Sequence, residues 1–407
     1  MGIVVTFHTL LYTIVVRPAL AIVPWGPGPV LWGLSWLLAI IPVFFVAAGY
    51  ADAVVVDRTR GTYADYLAAR AGRLIGPLTL FGVVFTAAST IPAWCGFLPD
   101  AQALSPRFAQ LLWFLVVYLG LLVASPFLVA AHDRFGGWAM LPFLVAAVAV
   151  DVAARVSGYW DLHWLNLAFA WPLAHQWGIA YHRGWFRRWP AGVLVALVAG
   201  CAAVIAAMVF WLGYPPSAVA WADELVANLQ PPTVAVVVMG FGQTCLLGLL
   251  ERCGVAARLS RRAQNVVGAA NAVVLSAYLW HIPVIALAGG LLAGVAWLWP
   301  AATAIALNGG VWVVLTWVLV VLIIPRIARA ERHLTPPIRA EVPAGRTIVS
   351  FAVLASGVVA AWQWGMVLHP AAPWSCVAVM LWCFGLAWFR RAVRDQASHA
   401  SAAARKH

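Results

Sequence analysis

The chain has 407 residues, of which 64% are hydrophobic and 9% charged, with a mean hydropathy of +0.91. A soluble domain carries about 25% charged residues, so this composition excludes a soluble protein, and the 24 Trp and 18 Phe exclude a disordered one. The formal net charge of +12 falls in the gaps between apolar runs, which argues against nucleic-acid binding.

The apolar runs are continuous rather than alternating, which excludes a membrane β-barrel. Each is about 20 residues long, enough to cross a bilayer core of roughly 30 Å as a helix. In chain order the predicted spans are 1–23, 30–50, 73–91, 109–131, 138–156, 161–182, 191–213, 232–250, 271–295, 301–324, 347–367 and 373–390. The expected fold class is therefore all-α, a polytopic transmembrane helical bundle. The expected organisation is a ten-span core over 1–330, a basic cytoplasmic linker over 331–346, two further C-terminal helices over 347–391 and a basic tail over 392–407. Linkers carry helix breakers, as in Pro24-Trp25-Gly26-Pro27-Gly28-Pro29, Tyr214-Pro215-Pro216 and Thr335-Pro336-Pro337. No repeat at a fixed period is present.

Loop charge sets orientation, because basic residues stay on the cytoplasmic side. With this span count, 22 of the 25 Lys and Arg residues fall on one face. Only Arg17, Arg107 and Arg155 fall on the other, together with the acidic pair Asp223-Glu224. Both termini are predicted to be cytoplasmic. The first span opens at Met1 without a basic leader or a small-residue cleavage site, so it does not read as a signal peptide; a truncated or misassigned start is one reading, a degenerate active site the other.

The six cysteines, at 95, 201, 245, 253, 376 and 383, form no CxxC and have no His at metal-ligand spacing. No metal site and no disulfide framework is expected. There is also no GxGxxG, P-loop or HExxH.

Polar groups within spans are costly and are candidate functional residues. His8 lies in span 1, where it reads either as a general base or as a helix–helix hydrogen bond. His281 lies about ten residues into span 9, in Ser276-Ala277-Tyr278-Leu279-Trp280-His281-Ile282-Pro283. Tyr278 and His281 are three apart and share a helix face, and Pro283 frees a backbone carbonyl beside them. Arg70 and Arg73, also three apart, suit a phosphate-bearing ligand at the cytoplasmic entrance of span 3; the competing reading is an ordinary basic membrane boundary. His175, Gln176, Asn308, Gln243 and Gln363 read as interhelical hydrogen bonds. Asn228-Leu229-Gln230-Pro231-Pro232-Thr233 reads as a helix start or as the lining of an external cleft.

Together these stretches resemble the membrane-bound acyltransferase family 3, bacterial integral-membrane O-acyltransferases, over most of residues 1–330. Four places carry the resemblance: His8; Pro42-Val43-Phe44-Phe45-Val46-Ala47-Ala48-Gly49-Tyr50; Arg70 with Arg73; and Tyr278, Leu279 and His281. Two departures stand out. Ala48 occupies a position where Ser or Gly is common, and the Arg usual eleven positions before the span-1 His would fall before Met1. Asn228 to Thr233 also resembles a segment of actinobacterial members.

The resemblance implies transfer of an acyl group, commonly acetyl, from cytoplasmic acyl-CoA to a hydroxyl of a sugar, glycolipid, surface glycan or secondary metabolite. It implies residence in the bacterial inner membrane, with the lipid bilayer, acyl-CoA and the hydroxyl-bearing acceptor as partners and no nucleic acid. It points to His8 as the base, Tyr278 and His281 as site-lining or donor-positioning residues, and Arg70 and Arg73 as contacts to the donor's phosphates. Direct transfer and an acyl-His intermediate both remain open. The rival readings are a secondary transporter, opposed by the absence of two similar halves and of a carboxylate inside a span, and a non-catalytic member of the same scaffold.

Overall fold

The structure is a computed structural model that describes residues 1–15, 21–24, 29–59, 61–219, 227–255 and 257–394, without the side chains of Tyr12, Ala21, Ile22 and Pro24. Arg17, Arg60, the centre of the Pro-Gly linker, the Asp223-Glu224 pair and the basic tail from 395 onward lie outside the described residues. Among those described, nine helical stretches are long and apolar enough to cross a membrane. This is a multi-pass all-α membrane protein.

The stretches follow the predicted spans except at two places. Leu112–Ser157 holds two of those spans, as helices Leu112–Phe135 and Leu141–Ser157 joined by a 3-10 turn over Gly136–Met140. Gly136 enters that turn at φ +57, a left-handed conformation that costs a glycine little.

The first exception corrects the expectation of a continuous helix over 1–23. A helix over Gly2–Leu10 gives way to strand Tyr12–Val15, which pairs antiparallel with Ala21–Pro24. The β-branched Thr13, Ile14, Val15 and Val23 fit a pleated surface. The second exception is 161–182, which divides into a 3-10 segment over Trp160–Ala168 and a helix over Ala170–His182. Pro172 sits in the first turn of that helix, where its missing N–H breaks no bond.

The described residues form two compact units. One comprises Met1–Val56, Ala124–Ala272 and Val284–Val318. Its centre is a close crossing of helices Ile41–Arg58 and Ala170–His182. A Cβ at Gly49 would lie 2.0 Å from the His175 carbonyl oxygen, and one at Gly178 2.0 Å from that of Val46. Only glycine permits this approach, and Phe45 stacks on Trp171 beside it at 4.8 Å between ring centroids. Helices Pro29–Leu38 and Ile41–Arg58 are separated just ahead of Pro42, which has no N–H to continue the ladder. The Gln243 amide answers the break, donating to the carbonyls of Trp36, Leu37 and Ala39 at 3.3, 3.4 and 3.1 Å. Asn228 accepts from the Thr233 hydroxyl and backbone N–H and donates to the carbonyls of Pro215 and Ser217, so its stretch is a helix start for Val234–Arg252.

The other unit comprises Asp57–Val123, Val273–Pro283 and Leu319–His407. Here the C-terminal helices Ala344–Trp364 and Pro373–Val393 cross at Gly357 and Gly385. A Cβ at either glycine would come within 2.4 Å of the opposite backbone. The pair packs on helices Tyr63–Ala71, Ile75–Trp94 and Leu98–Ala109. The Trp382 indole donates to Leu78 O at 3.2 Å, and Trp94 donates to Leu368 O at 2.8 Å.

Because Gly49 and Gly178 face backbone rather than yielding side-chain tips, Gly178→Ala has no soft neighbour to displace. It is expected to cost on the order of 3 kcal/mol, the upper end of overpacking penalties. Thermal unfolding of the purified protein in nanodiscs measures this, with the exposed Gly192→Ala as the control that leaves the midpoint unchanged.

Candidate active site

The Tyr-Leu-x-His motif lies on the helix Val274–Leu298, which runs through Pro283 without interruption. Tyr278, Leu279, Trp280 and His281 are all buried. The His281 Nδ1 lies 2.6 Å from the Tyr278 carbonyl oxygen. A carbonyl only accepts, so Nδ1 carries the proton and Nε2 is the basic nitrogen of the neutral ring. The Tyr278 hydroxyl donates to Leu111 O, and its ring lies against Phe114 at 4.8 Å. The structure thus brings Tyr278 and His281 together, with ring centroids 6.0 Å apart.

Glu331 supports this motif, and the sequence reading missed it. It is 3% exposed on helix Gly309–Leu334. Its carboxylate accepts from the Ser276 hydroxyl and, at 3.0 Å, from the Trp280 indole. Ser276 and Trp280 flank Tyr278 on the same helix, so one acceptor ties down both sides of the motif.

Arg70 and Arg73 lie on one continuous stretch, where helix Tyr63–Ala71 tightens into a 3-10 turn over Gly72–Leu74. Arg70 is half-buried and donates to the Tyr118 hydroxyl at 3.4 Å; Arg73 is exposed. The helix begins with a capping box, in which Asp65 accepts from the Thr62 backbone N–H and hydroxyl while the Thr62 side chain accepts from the Asp65 N–H. Such a cap fixes the helix start and therefore the register of Arg70.

His8 belongs to the other unit. Its Nδ1 lies 2.8 Å from Val4 O, which makes Nε2 the basic nitrogen of the neutral ring here too. The same helix is held by the Trp317 indole, which donates to the Thr6 hydroxyl at 2.9 Å.

The expectation that no carboxylate sits inside a span is overturned. Asp52, in the candidate span Pro29–Arg58, and Asp151, in Leu112–Ser157, are each 1% exposed. Asp52 Oδ2 accepts from the Ser125 hydroxyl at 2.8 Å and lies 3.1 Å from His175 Nε2, which is itself 3.0 Å from Ser125 Oγ. This Ser-His-Asp set is not a nucleophilic relay, which needs the hydroxyl and the carboxylate on opposite ring nitrogens. Here both meet Nε2. Asp151 binds His163 Nε2 at 2.5 Å and the Tyr214 hydroxyl, while His163 Nδ1 faces Trp160 O at 3.1 Å. Both His163 nitrogens therefore face oxygen atoms. Arg155 lies 3.4 Å over the Tyr214 ring. Asp151 was readable in the sequence as a charge inside an apolar run.

The remaining polar candidates behave as packing groups. His175 bonds as above, and Gln176 accepts from His132 Nδ1 at 2.9 Å and donates to Leu128 O at 3.0 Å. Asn308 makes a local bond to Gly310 N at the start of a helix rather than an interhelical one, and Gln363 is exposed.

The geometry is that of a multi-pass membrane protein with a buried His281 and a half-buried His8, each with its Nδ1 proton on a carbonyl of its own helix, and an arginine pair beside a capped helix. A family model described as an acyltransferase domain matches residues 1–325. The chain belongs to this family, acyltransferase family 3, whose members are membrane O-acyltransferases, and it is an enzyme that transfers acyl groups other than aminoacyl groups. No curated protein and no solved structure matches it.

Removing the Glu331 carboxylate leaves two buried donors without their acceptor, at about 1–3 kcal/mol each. Glu331→Ala is expected to lower the unfolding midpoint in nanodiscs more than Ser276→Ala, which removes one donor together with its need. Equal effects would show that the carboxylate is not the shared anchor.

Proposed function

We propose that this protein moves an acyl group, acetyl in the first instance, from cytoplasmic acyl-CoA to a hydroxyl of a sugar, glycolipid, surface glycan or secondary metabolite. The observation that carries the reading is the protonation pattern of the histidines. At both His8 and His281 a backbone carbonyl of the same helix takes the Nδ1 proton, which makes Nε2 the basic nitrogen of the neutral ring, the form a general base needs.

In the proposed reaction the acceptor O–H gives its proton to Nε2 of His8. The oxygen attacks the thioester carbonyl, the C–O bond forms as the C–S bond breaks, and the departing thiolate takes up the proton. By the family resemblance Tyr278 and His281 take site-lining or donor-positioning roles. Arg70 and Arg73 hold the donor's phosphates, for which a guanidinium is suited by its fixed fork of donors. The Arg-rich loops support cytoplasmic donor access, both termini in the cytoplasm and residence in the bacterial inner membrane.

The buried Asp52–His175 and Asp151–His163 pairs favour a second reading, a proton-relay transporter, because paired carboxylates and histidines inside spans mark proton paths. Proton-coupled uptake into proteoliposomes is its test.

Membranes supplied with radiolabelled acetyl-CoA on the cytoplasmic side test the transferase reading. Label is expected in lipid, glycan or small-molecule fractions. His8→Ala is expected to lower transfer by ~10²–10⁴-fold, the range of a lost general base, with the protein still in the membrane. Retention of wild-type transfer by His8→Ala would remove His8 from the mechanism.

A further inference from the structure

Residues 331–342 lie beyond the stretch matched by the family model, which ends at 325. They read in sequence as a basic linker between helices. In the structure they are a packed segment that touches both motif-bearing elements of one unit.

At one end, Glu331 accepts from Ser276 and Trp280, which flank Tyr278 and precede His281. The helix Gly309–Leu334 stops there because Pro336 and Pro337 have no N–H to extend it. Thr335 closes the turn onto Glu331 O through its N–H at 3.1 Å and its hydroxyl at 3.0 Å. This turn lies directly on Gly76: a Cβ there would meet Glu331 O at 1.9 Å and Thr335 Oγ1 at 2.3 Å.

Next, Ile338 covers Gly72, where a Cβ would meet Ile338 Cδ1 at 2.6 Å. Gly72 sits between Arg70 and Arg73. At the far end, the Val342 N–H donates to Asp65 Oδ1 at 2.9 Å. Asp65 is the capping residue of the Arg70 helix, and its other oxygen is taken by Thr62. The middle of the segment is itself anchored on the last helix, with Arg339 N donating to Val393 O at 3.0 Å and Ile338 bridging to Arg394. That helix in turn reaches Trp280 through Phe81, which packs on Trp382 at 6.4 Å and on Trp280 at 5.7 Å.

We propose that residues 331–342, held by the last helix, form a positioning strap that fixes the Arg70–Arg73 segment against the Tyr278–His281 helix, and so sets the geometry in which the phosphates of the acyl donor are bound. This rests on the reading of Arg70 and Arg73 as donor contacts. Asp65, Ile338 and Glu331 are positioning residues in this account. None of them needs to touch the donor. Order in the strap, rather than its own positive charge, is what the donor site requires.

The test is a titration of the full-length protein in nanodiscs with CoA, read as dissociation constant and as bound stoichiometry. Loss of folded protein lowers stoichiometry and leaves the dissociation constant unchanged, so the two readouts separate a positioning effect from misfolding. Arg70→Ala with Arg73→Ala is expected to weaken CoA binding at least tenfold. Ile338→Ala and Asp65→Asn, at separate points on the strap, are each expected to weaken it at least threefold with unchanged stoichiometry. Ile338→Val, which removes Cδ1 but keeps Cγ1, 3.0 Å from the same Cβ position, is expected to weaken binding less than Ile338→Ala. Weakened binding in the arginine variant with wild-type affinity in both strap variants would overturn the strap and leave the donor reading intact. Wild-type affinity in the arginine variant, or no CoA binding by the wild type, would overturn the donor reading and the strap's role with it.

Discussion

A buried carboxylate inside an apolar helix bundle has no water to turn to, and among the described residues each such group is met by a donor from another part of the chain. Asp52 has Ser125 and His175, Asp151 has His163 and Tyr214, and Glu331 has Ser276 and Trp280. Leaving one of them unmet costs far more than the bond itself contributes. These partnerships therefore select which helices pack and in what register. The same rule governs the backbone, where Gln243 supplies the donors that the break before Pro42 takes away.

Small residues do the complementary work. Without water to drive helices together, association inside a membrane depends on close van der Waals approach. Gly49 with Gly178, and Gly357 with Gly385, bring backbones into direct contact. The first of these crossings carries the polar knot of Asp52, Ser125 and His175, so packing and hydrogen bonding are met by one arrangement. Gly49 belongs to the stretch that carries the family resemblance, and its role in this chain is to let the His175 carbonyl approach.

The acyltransferase assignment and the local chemistry address different levels. Family membership supplies the reaction class. The chain's own residues supply the tautomers of His8 and His281, the cap that holds Arg70 and the carboxylate beneath Tyr278. Two histidines distant in sequence use the same device, a carbonyl three or four residues back, to hold a ring proton. This is economical in a helix, because the acceptor is always present at that spacing, and it makes Nε2 the basic nitrogen of the neutral ring.

The sequence by itself determined the class of the protein. Apolar runs of span length, charges confined to the gaps and the order of four short motifs sufficed for a polytopic helical acyltransferase, because these depend on composition and local spacing. The candidate site residues were legible as residue types, since a His or an Arg at an unusual depth stands out in a linear pattern. Only the tertiary structure decided what supports them. Glu331 lies some fifty residues from Ser276 and Trp280 and reads in sequence as one more charge in a basic linker; Asp52 lies 123 residues from His175. The first segment showed the opposite failure, where a run apolar enough for a helix contains a β-branched stretch that pairs as a hairpin. Pairing of this kind is set by which distant groups can satisfy one another once helices pack, and no local pattern carries that information.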